Sequence, residues 1–440
     1  MTAKTIQELI RQYKIREAFW AAADGVENDT QKQTLFLQIL SFKNNVAILQ
    51  ADSDILRQEA ERGVNPYMAY AYARLHDVLQ PEENSDGIKE MYYTIAANHG
   101  IGDAYACLAY MYRDGDLGEQ DMDRYENLMQ KARQRRSEKA LQQIIRDLIY
   151  GNNGAEANPS KAYELAENYL KELNFLNPAY YQLMAEADGK LGRKVNAICN
   201  FESAVTYGNS SAFYWWAIAE CCDDDYNVVD RQRFMEIMQN GIDVSAADCF
   251  LMYSLLLDDE SYDALEADDK AEASRNLLND LTAGWKLGEA ECPYFLADYF
   301  ENGRFGFEKD YDKAWLWYSR GAVLRSPFCF GALSRMVLDD GTSPSSYDES
   351  YAYECAYKGL LLGADDLLEV VIRGYKNGFL TQHSTMIERK WLPKYEKEVG
   401  EMMDDHEIDS DEYDDGHEYL YDGDPEFLLN IEPEREIEED

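Results

Sequence analysis

Long apolar runs are missing from these 440 residues. The most apolar stretch, Ala212 to Cys222, falls well short of the roughly 20 residues that cross a bilayer, so no membrane contact is expected. Residues 1–20, MTAKTIQELIRQYKIREAFW, mix charge with apolar residues at helical spacing and hold no continuous apolar core, which argues against a signal peptide. The expected location is cytoplasmic. Basic residues are scarce: 42 Lys and Arg stand against 84 Asp and Glu, a net charge of −42. That field repels nucleic acid and anionic membranes and attracts a basic protein, although plain solvation of an acidic surface accounts for it equally well.

Chemistry is thinly represented too. There are five histidines, His76, His99, His383, His406 and His417. His99 precedes Gly100 at a helix end, where a capping role outweighs general-base work. No Gly-rich phosphate loop, zinc-protease helix or nucleophile elbow occurs. The eight cysteines lack metal-ligand spacing, since Cys221 and Cys222 are adjacent and no His lies nearby. Asp411, Asp415, Gly416 and Asp422 form only a broken calcium-loop pattern, with Tyr413 at a ligand position. No enzyme activity, cofactor or metal is expected. Strand-like alternation is also hard to find, whereas Ala, Leu, Glu and Tyr dominate the periodic segments. The chain is expected to be all-α.

What is present is a period. Gly288 to Ala322 reads as a helix, a turn at Gly303 and a second helix, with Asp310 three residues before Lys313. Equivalent second-helix positions fall at Asp52, Lys89, Tyr125, Ala162, Ala197, Phe234, Leu277, Ala314 and Ala352, spaced by 37, 36, 37, 35, 37, 43, 37 and 38 residues. Units of this size bury their apolar faces only against neighbours. About nine helical-hairpin repeats in a solenoid are expected, and the 43-residue step holds an acidic insert, Asp258 to Asp269, read as a longer loop.

The run Leu296-Ala297-x-x-Phe300-x-x-Gly303, followed by Asp310-x-x-Lys313-Ala314-x-x-Trp317-Tyr318, resembles the Sel-one-like repeats, which are related to tetratricopeptide repeats. Leu108-Ala109-x-x-Tyr112-x-x-Gly115 repeats the first half, and Ala96-Ala97-x-x-Gly100 the usual ending. Arg320-Gly321-Ala322 departs from the usual Lys-Ala-Ala, and Arg325 replaces the closing Gly. The resemblance implies a right-handed α-α superhelix used as a protein-binding scaffold, with first helices lining its concave face. Cysteine-rich members of the family place a disulfide in each repeat. Here Cys292 and Cys329 fall one period apart while most repeats lack a matched pair, so reduced, buried thiols are expected.

Four regions follow: capping helices in 1–45, repeats in 46–380, a capping helix in 381–403 with a break or a kink at Pro393, and an acidic disordered tail in 404–440. The capping helices are expected at Thr5 to Ala23 and at about Thr30 to Phe42. Residues 401–440 hold 19 acidic side chains and one Arg. The candidate partner-binding residues are Tyr105, Tyr110, Tyr214, Trp215 and Asp298 on first helices, because aromatics bring contact area at little rotamer cost. Tyr112, Phe300 and Trp317 occupy motif positions and read as interior. Phe427 and Leu428, within Phe427-Leu428-Leu429-x-Ile431, read as a short docking motif, with a merely solvated segment the blander reading. The expected function is a non-enzymatic scaffold for a protein or peptide. The alternative is an acidic immunity-type inhibitor of a basic toxin or nuclease.

Overall fold

The computed structural model describes residues 1–397 except 81–84, 119, 153–154, 174–175, 224–225, 258 and 339–340. Residues 398–440 lie outside the described residues, and with them the expected tail, Phe427 and Leu428. Among the described residues the only β feature is an isolated bridge between Cys222 and Val228. Helices α1 (Ala3–Arg11), α2 (Ile15–Ala23), α3 (Thr30–Ser41), α4 (Lys43–Ile48) and α5 (Ser53–Glu61) come first. Hairpins follow: α6 (Pro66–Leu79) with α7 (Ser85–Asn98), α8 (Gly102–Asp114) with α9 (Met122–Gln134), and α10 (Glu138–Tyr150) with α11 (Pro159–Glu172). Then come α12 (Pro178–Lys190) with α13 (Lys194–Thr206), and α14 (Ala212–Cys221) with α15 (Arg231–Asp243). The next unit is α16 (Ala247–Leu255), the short α17 (Asp259–Asp263) and α18 (Ala267–Lys286). Hairpins α19 (Glu291–Asn302) with α20 (Tyr311–Val323) and α21 (Pro327–Leu338) with α22 (Glu349–Leu361) complete the array, closed by α23 (Leu368–Lys376) and α24 (Ser384–Met386).

The period has a physical basis at each end of the second helix. Asp121, Asn158, Asp230, Asp310 and Asp348 each accept a backbone N–H from the residue three positions on, an N-cap contributing about 1 kcal/mol. The nine register positions from Asp52 to Ala352 are all buried, so the spacing reads one continuous core. Where the second helix hands over to the next first helix, small residues eight apart face each other. Ala96 and Ala104, Ala132 and Ala140, and Ala204 and Ala212 are such pairs, all fully buried.

In later units the same junction is a glycine against a cysteine: Gly241 with Cys249, Gly284 with Cys292, Gly321 with Cys329. A methyl is given up on one side and a thiol gained on the other. This accounts for Gly321 in the Arg320-Gly321-Ala322 departure. It also gives these cysteines their place, since all eight are free and all but Cys199 buried.

Three expectations are corrected. Thr5 to Ala23 is not one helix: the chain breaks between α1 and α2, where Tyr13 takes φ 55° and its hydroxyl donates to Val205 O at 2.5 Å. The insert after residue 257 is not merely a loop, because it forms α17 and lengthens α18 to 20 residues. At the other end, the break or kink expected at Pro393 takes the form of a π-helical turn, Ile387–Trp391, just before it. A wider turn accommodates the backbone that proline's ring would otherwise crowd.

The array coils back on itself. Early parts of the chain meet the ends and junctions of later hairpins, at separations of 166, 192 and 209 residues, about five periods each. Asn44 donates to Ser210 Oγ at 3.0 Å, Arg11 lies over the Tyr207 ring, and Arg325 pairs with Asp116. A Cβ on Gly288 would sit 3.1 Å from Val78. One superhelical turn is thus laid on the next, with early helix ends and loops meeting the ends and junctions of later units.

Candidate partner-binding surface

Successive first helices touch: α8 with α10, α10 with α12, α14 with α16, α19 with α21. Successive second helices make no comparable contact among the described residues. The first helices therefore crowd the inside of the curve, and their solvent-facing residues line its concave surface.

Tyr105 and Tyr110 share α8. Tyr105 is half-buried against the core, while Tyr110 lies under the Arg113 guanidinium and donates to Gln143 on α10 at 3.3 Å. Burial pushes the Tyr110 phenol well above its ordinary value. Tyr214 and Trp215 are neighbours on α14, their rings 4.9 Å apart. Burial, then Asp248, push Tyr214 up to about 12, whereas Trp215 stays 42% exposed. Asp298 on α19 accepts from Asn302 at 2.7 Å and pairs with Arg304 at 3.3 Å. Burial raises it, and Arg304 and Asn302 work against that. The described residues show no contact linking the α8, α14 and α19 candidates. Of the motif aromatics, Phe300 and Trp317 are buried, whereas Tyr112 is half-exposed and carries the Arg124 guanidinium over its ring.

Two exposed aromatics on first helices were not among the sequence candidates. Tyr150 ends α10 with 45% of its surface accessible, and Phe328 on α21 keeps 51%. Tyr150 donates to Glu186 at 3.2 Å and receives Lys190 over its ring. Phe328 stacks on Tyr294, centroids 5.7 Å apart. Each belongs to a first-helix aromatic series that sequence shows, but exposure on a curved array depends on neighbours that sequence does not place.

Sequence reading also missed a buried charge network. Lys89, at a core register position and 0% exposed, meets Asp86 at 2.7 Å and Asp116 at 2.9 Å. Asp77 accepts from Tyr93 at 3.0 Å and pairs with Arg74. Burial pushes Asp77 upward, but Arg74 and Lys89 outweigh it and hold the carboxyl below its usual range. Asp52, the other charged register position, accepts from Arg16 Nε at 2.7 Å and Trp20 at 3.0 Å. The Arg16 hydrogen bond leads in keeping it low. At the seam, Asp248 hydrogen-bonds Glu289 with Lys43 nearby, and burial followed by Glu289 pushes it up to about 8. Glu291, beside them, is pushed up to about 7 by burial and then Glu289.

A depression of about 310 Å³ lies among Glu301, Asn302, Lys309, Tyr311, Arg335 and Thr342. Its charged floor is structural, since Glu301 takes Arg335 at 2.8 Å and the Tyr318 hydroxyl at 2.7 Å. Among the described residues, no three His, Cys, Asp or Glu side chains gather as a metal site, and no helix is long and apolar enough to cross a membrane. His99 Nδ1 donates to Ile95 O at 2.8 Å, a helix-end contact.

No protein-family model matches the chain, and no curated protein matches it significantly. Among solved structures, a Sel1 repeat protein from Oxalobacter formigenes is 15% identical over 76% of this chain and 93% of its own, with a TM-score of 0.37. A protective antigen of uropathogenic Escherichia coli strains displaying an SLR fold is 13% identical over 95% of this chain and 100% of its own, with a TM-score of 0.35. Both carry the repeat type that the Leu296–Tyr318 motif resembles. Superposition over whole chains is loose at these scores, and the solenoid assignment rests on this chain's own helices.

Proposed function

We propose that this Sel1-like solenoid is a non-enzymatic scaffold whose concave, first-helix surface holds a protein or peptide. The observation that carries the reading is the set of large aromatic rings left in solvent on that surface: Tyr150, Trp215 and Phe328. Exposed aromatics cost the free protein solubility, and in interfaces they supply most of the binding energy. Half-buried Tyr214 stacks beside Trp215, and Tyr105, Tyr110 and Asp298 are half-buried on other first helices. The test is affinity capture from the native host with the full chain and with Tyr150→Ala, Trp215→Ala and Phe328→Ala. A stoichiometric partner should be weakened about tenfold or more by at least one of the three. Capture unchanged in all three defeats the concave-surface reading.

A second reading, the acidic inhibitor of a basic toxin, is favoured by the charge of −42. Its partner would be steered by charge and lost as salt rises, whereas an aromatic-anchored partner survives salt.

A further inference from the structure

Residues 131–146 read KARQRRSEKALQQIIR. They carry Lys131, Arg133, Arg135, Arg136, Lys139 and Arg146 against a single acid, Glu138. That acid is buried, accepting from Asn177 at 2.8 Å and Tyr169 at 3.2 Å, and burial followed by Asp103 pushes it up to about 7. It neutralises little of the surface. Lys139 turns inward, where burial and then Arg74 lower it while Asp103 and Asp77 work against that. The other five cations are exposed, around the end of α9 and the start and middle of α10. Among the described residues none of the six forms an ion pair or donates a side-chain hydrogen bond. Acids outnumber bases two to one in this chain, and elsewhere Lys89, Arg233, Arg325 and Arg335 all find carboxylates.

Arg136 sharpens the contrast. It takes φ 54° at the junction position that Gly100, Gly208, Gly288 and Gly363 hold with positive φ, a conformation costly to any residue with a Cβ. Arg325 holds the same position, and its guanidinium reaches Asp116 across the seam. Arg136 reaches nothing in the described residues, so its cation is presented outward at a strained position.

We infer that this basic surface of α9 and α10 is the docking site of the chain's own acidic segment, residues 401–440. Charge complementarity is the first ground: 19 acids and one Arg against five exposed cations. Tethering is the second. The described structure runs to residue 397, and residues 401–440 follow it on the same chain. Forty residues reach at most ~3.3–3.6 Å each, far beyond the ~20 Å height of one hairpin. A linked segment of this kind acts at an effective concentration on the order of millimolar. Nucleic acid or an anionic lipid surface must instead approach through the field of the whole acidic chain. The inference stands on charge and reach, whichever partner the concave surface takes.

The test is zero-length carbodiimide crosslinking of the full chain at low concentration, mixing isotopically light and heavy chains, with peptide mapping. Amide links from Lys131 should dominate those to Asp and Glu of 401–440, within one chain, and fall about fivefold or more between ~20 and ~300 mM salt as screening shortens. The Arg133→Ala, Arg135→Ala, Arg136→Ala triple variant keeps Lys131 and changes only exposed side chains. It should retain the helical circular-dichroism signal and lose most of those links. Links spread evenly over exposed lysines such as Lys161 and Lys171, links between chains, or links indifferent to the triple variant overturn the inference. So does tight binding of labelled single-stranded DNA or anionic vesicles to the full chain that the triple variant abolishes, because the surface would then be open to outside anions.

Discussion

Gly284 and Cys292 allow the junction argument to be tested as a cycle. A Cβ built on Gly284 would lie 2.5 Å from Cys292 Sγ, while its next neighbours, Phe250 Cβ at 3.3 Å and Ala247 O at 3.4 Å, are tight but bearable. Gly284→Ala alone therefore overpacks the junction, at about 1–3 kcal/mol, less up to about 1 kcal/mol returned by better helix propensity. Cys292→Ala alone removes a fully buried thiol and leaves a small void, at about 1 kcal/mol for a group near methylene size. The double variant recreates the Ala/Ala pairing already present at Ala96 and Ala104, Ala132 and Ala140, and Ala204 and Ala212. It should be more stable than the sum of the singles by at least about 1 kcal/mol, within the range for contacting residues. Guanidinium unfolding followed by tryptophan fluorescence suits the purpose, since Trp285 adjoins the site and stacks edge-on to Trp317 at 5.4 Å. A double variant no better than additive would refute the idea that glycine and cysteine are exchanged across one packed contact.

Lys89→Met strands Asp86 and Asp116 around a buried position and should cost about 3–5 kcal/mol, read as a lowered thermal midpoint. Arg325→Ala should cost less, about 1–2 kcal/mol in the same melts, because Asp116 keeps Lys89. Asp248 and Glu291 have folded pKa values raised above their unfolded ones. Their contribution is complete below about pH 4 and is lost as pH rises through about 7 to 8. Stability should fall over that window, and Asp248→Asn should remove part of the fall, at most about 1.4 kcal/mol per pH unit. Denaturant midpoints between pH 5 and 9 check the slope, and an identical slope in the variant would count against the paired carboxyls.

The repeats were legible because each hairpin solves the same local problem. A capping Asp or Asn three residues before a backbone N–H, an apolar register residue and a small junction residue recur in every clear unit, as at Asp310, Ala314 and Gly321. Periodicity also placed Lys89 and Asp52 in the register, without revealing that these positions are core and that charge there requires partners. Those partners, Asp116 from the next hairpin and Arg16 from an earlier one, come from other units. Candidate aromatics were legible as a class and not as a surface. Tyr110 and Trp215 look alike in sequence, yet one packs under Arg113 and the other stands in solvent.

The seam was illegible for a different reason. A period describes how a unit meets its neighbour, whereas Tyr13 meets Val205 and Arg325 meets Asp116 about five units away. No local pattern encodes a contact set by accumulated curvature. What sequence does show is the local rule being broken where such a contact forms. Arg325 stands where a left-handed glycine would be easiest, and the guanidinium it gains reaches across to the next superhelical turn. Tyr13 takes a left-handed backbone at the break between α1 and α2, and its hydroxyl spans the same seam. The break is not by itself diagnostic, because Ser245 is left-handed at the equivalent junction position and makes no seam contact among the described residues.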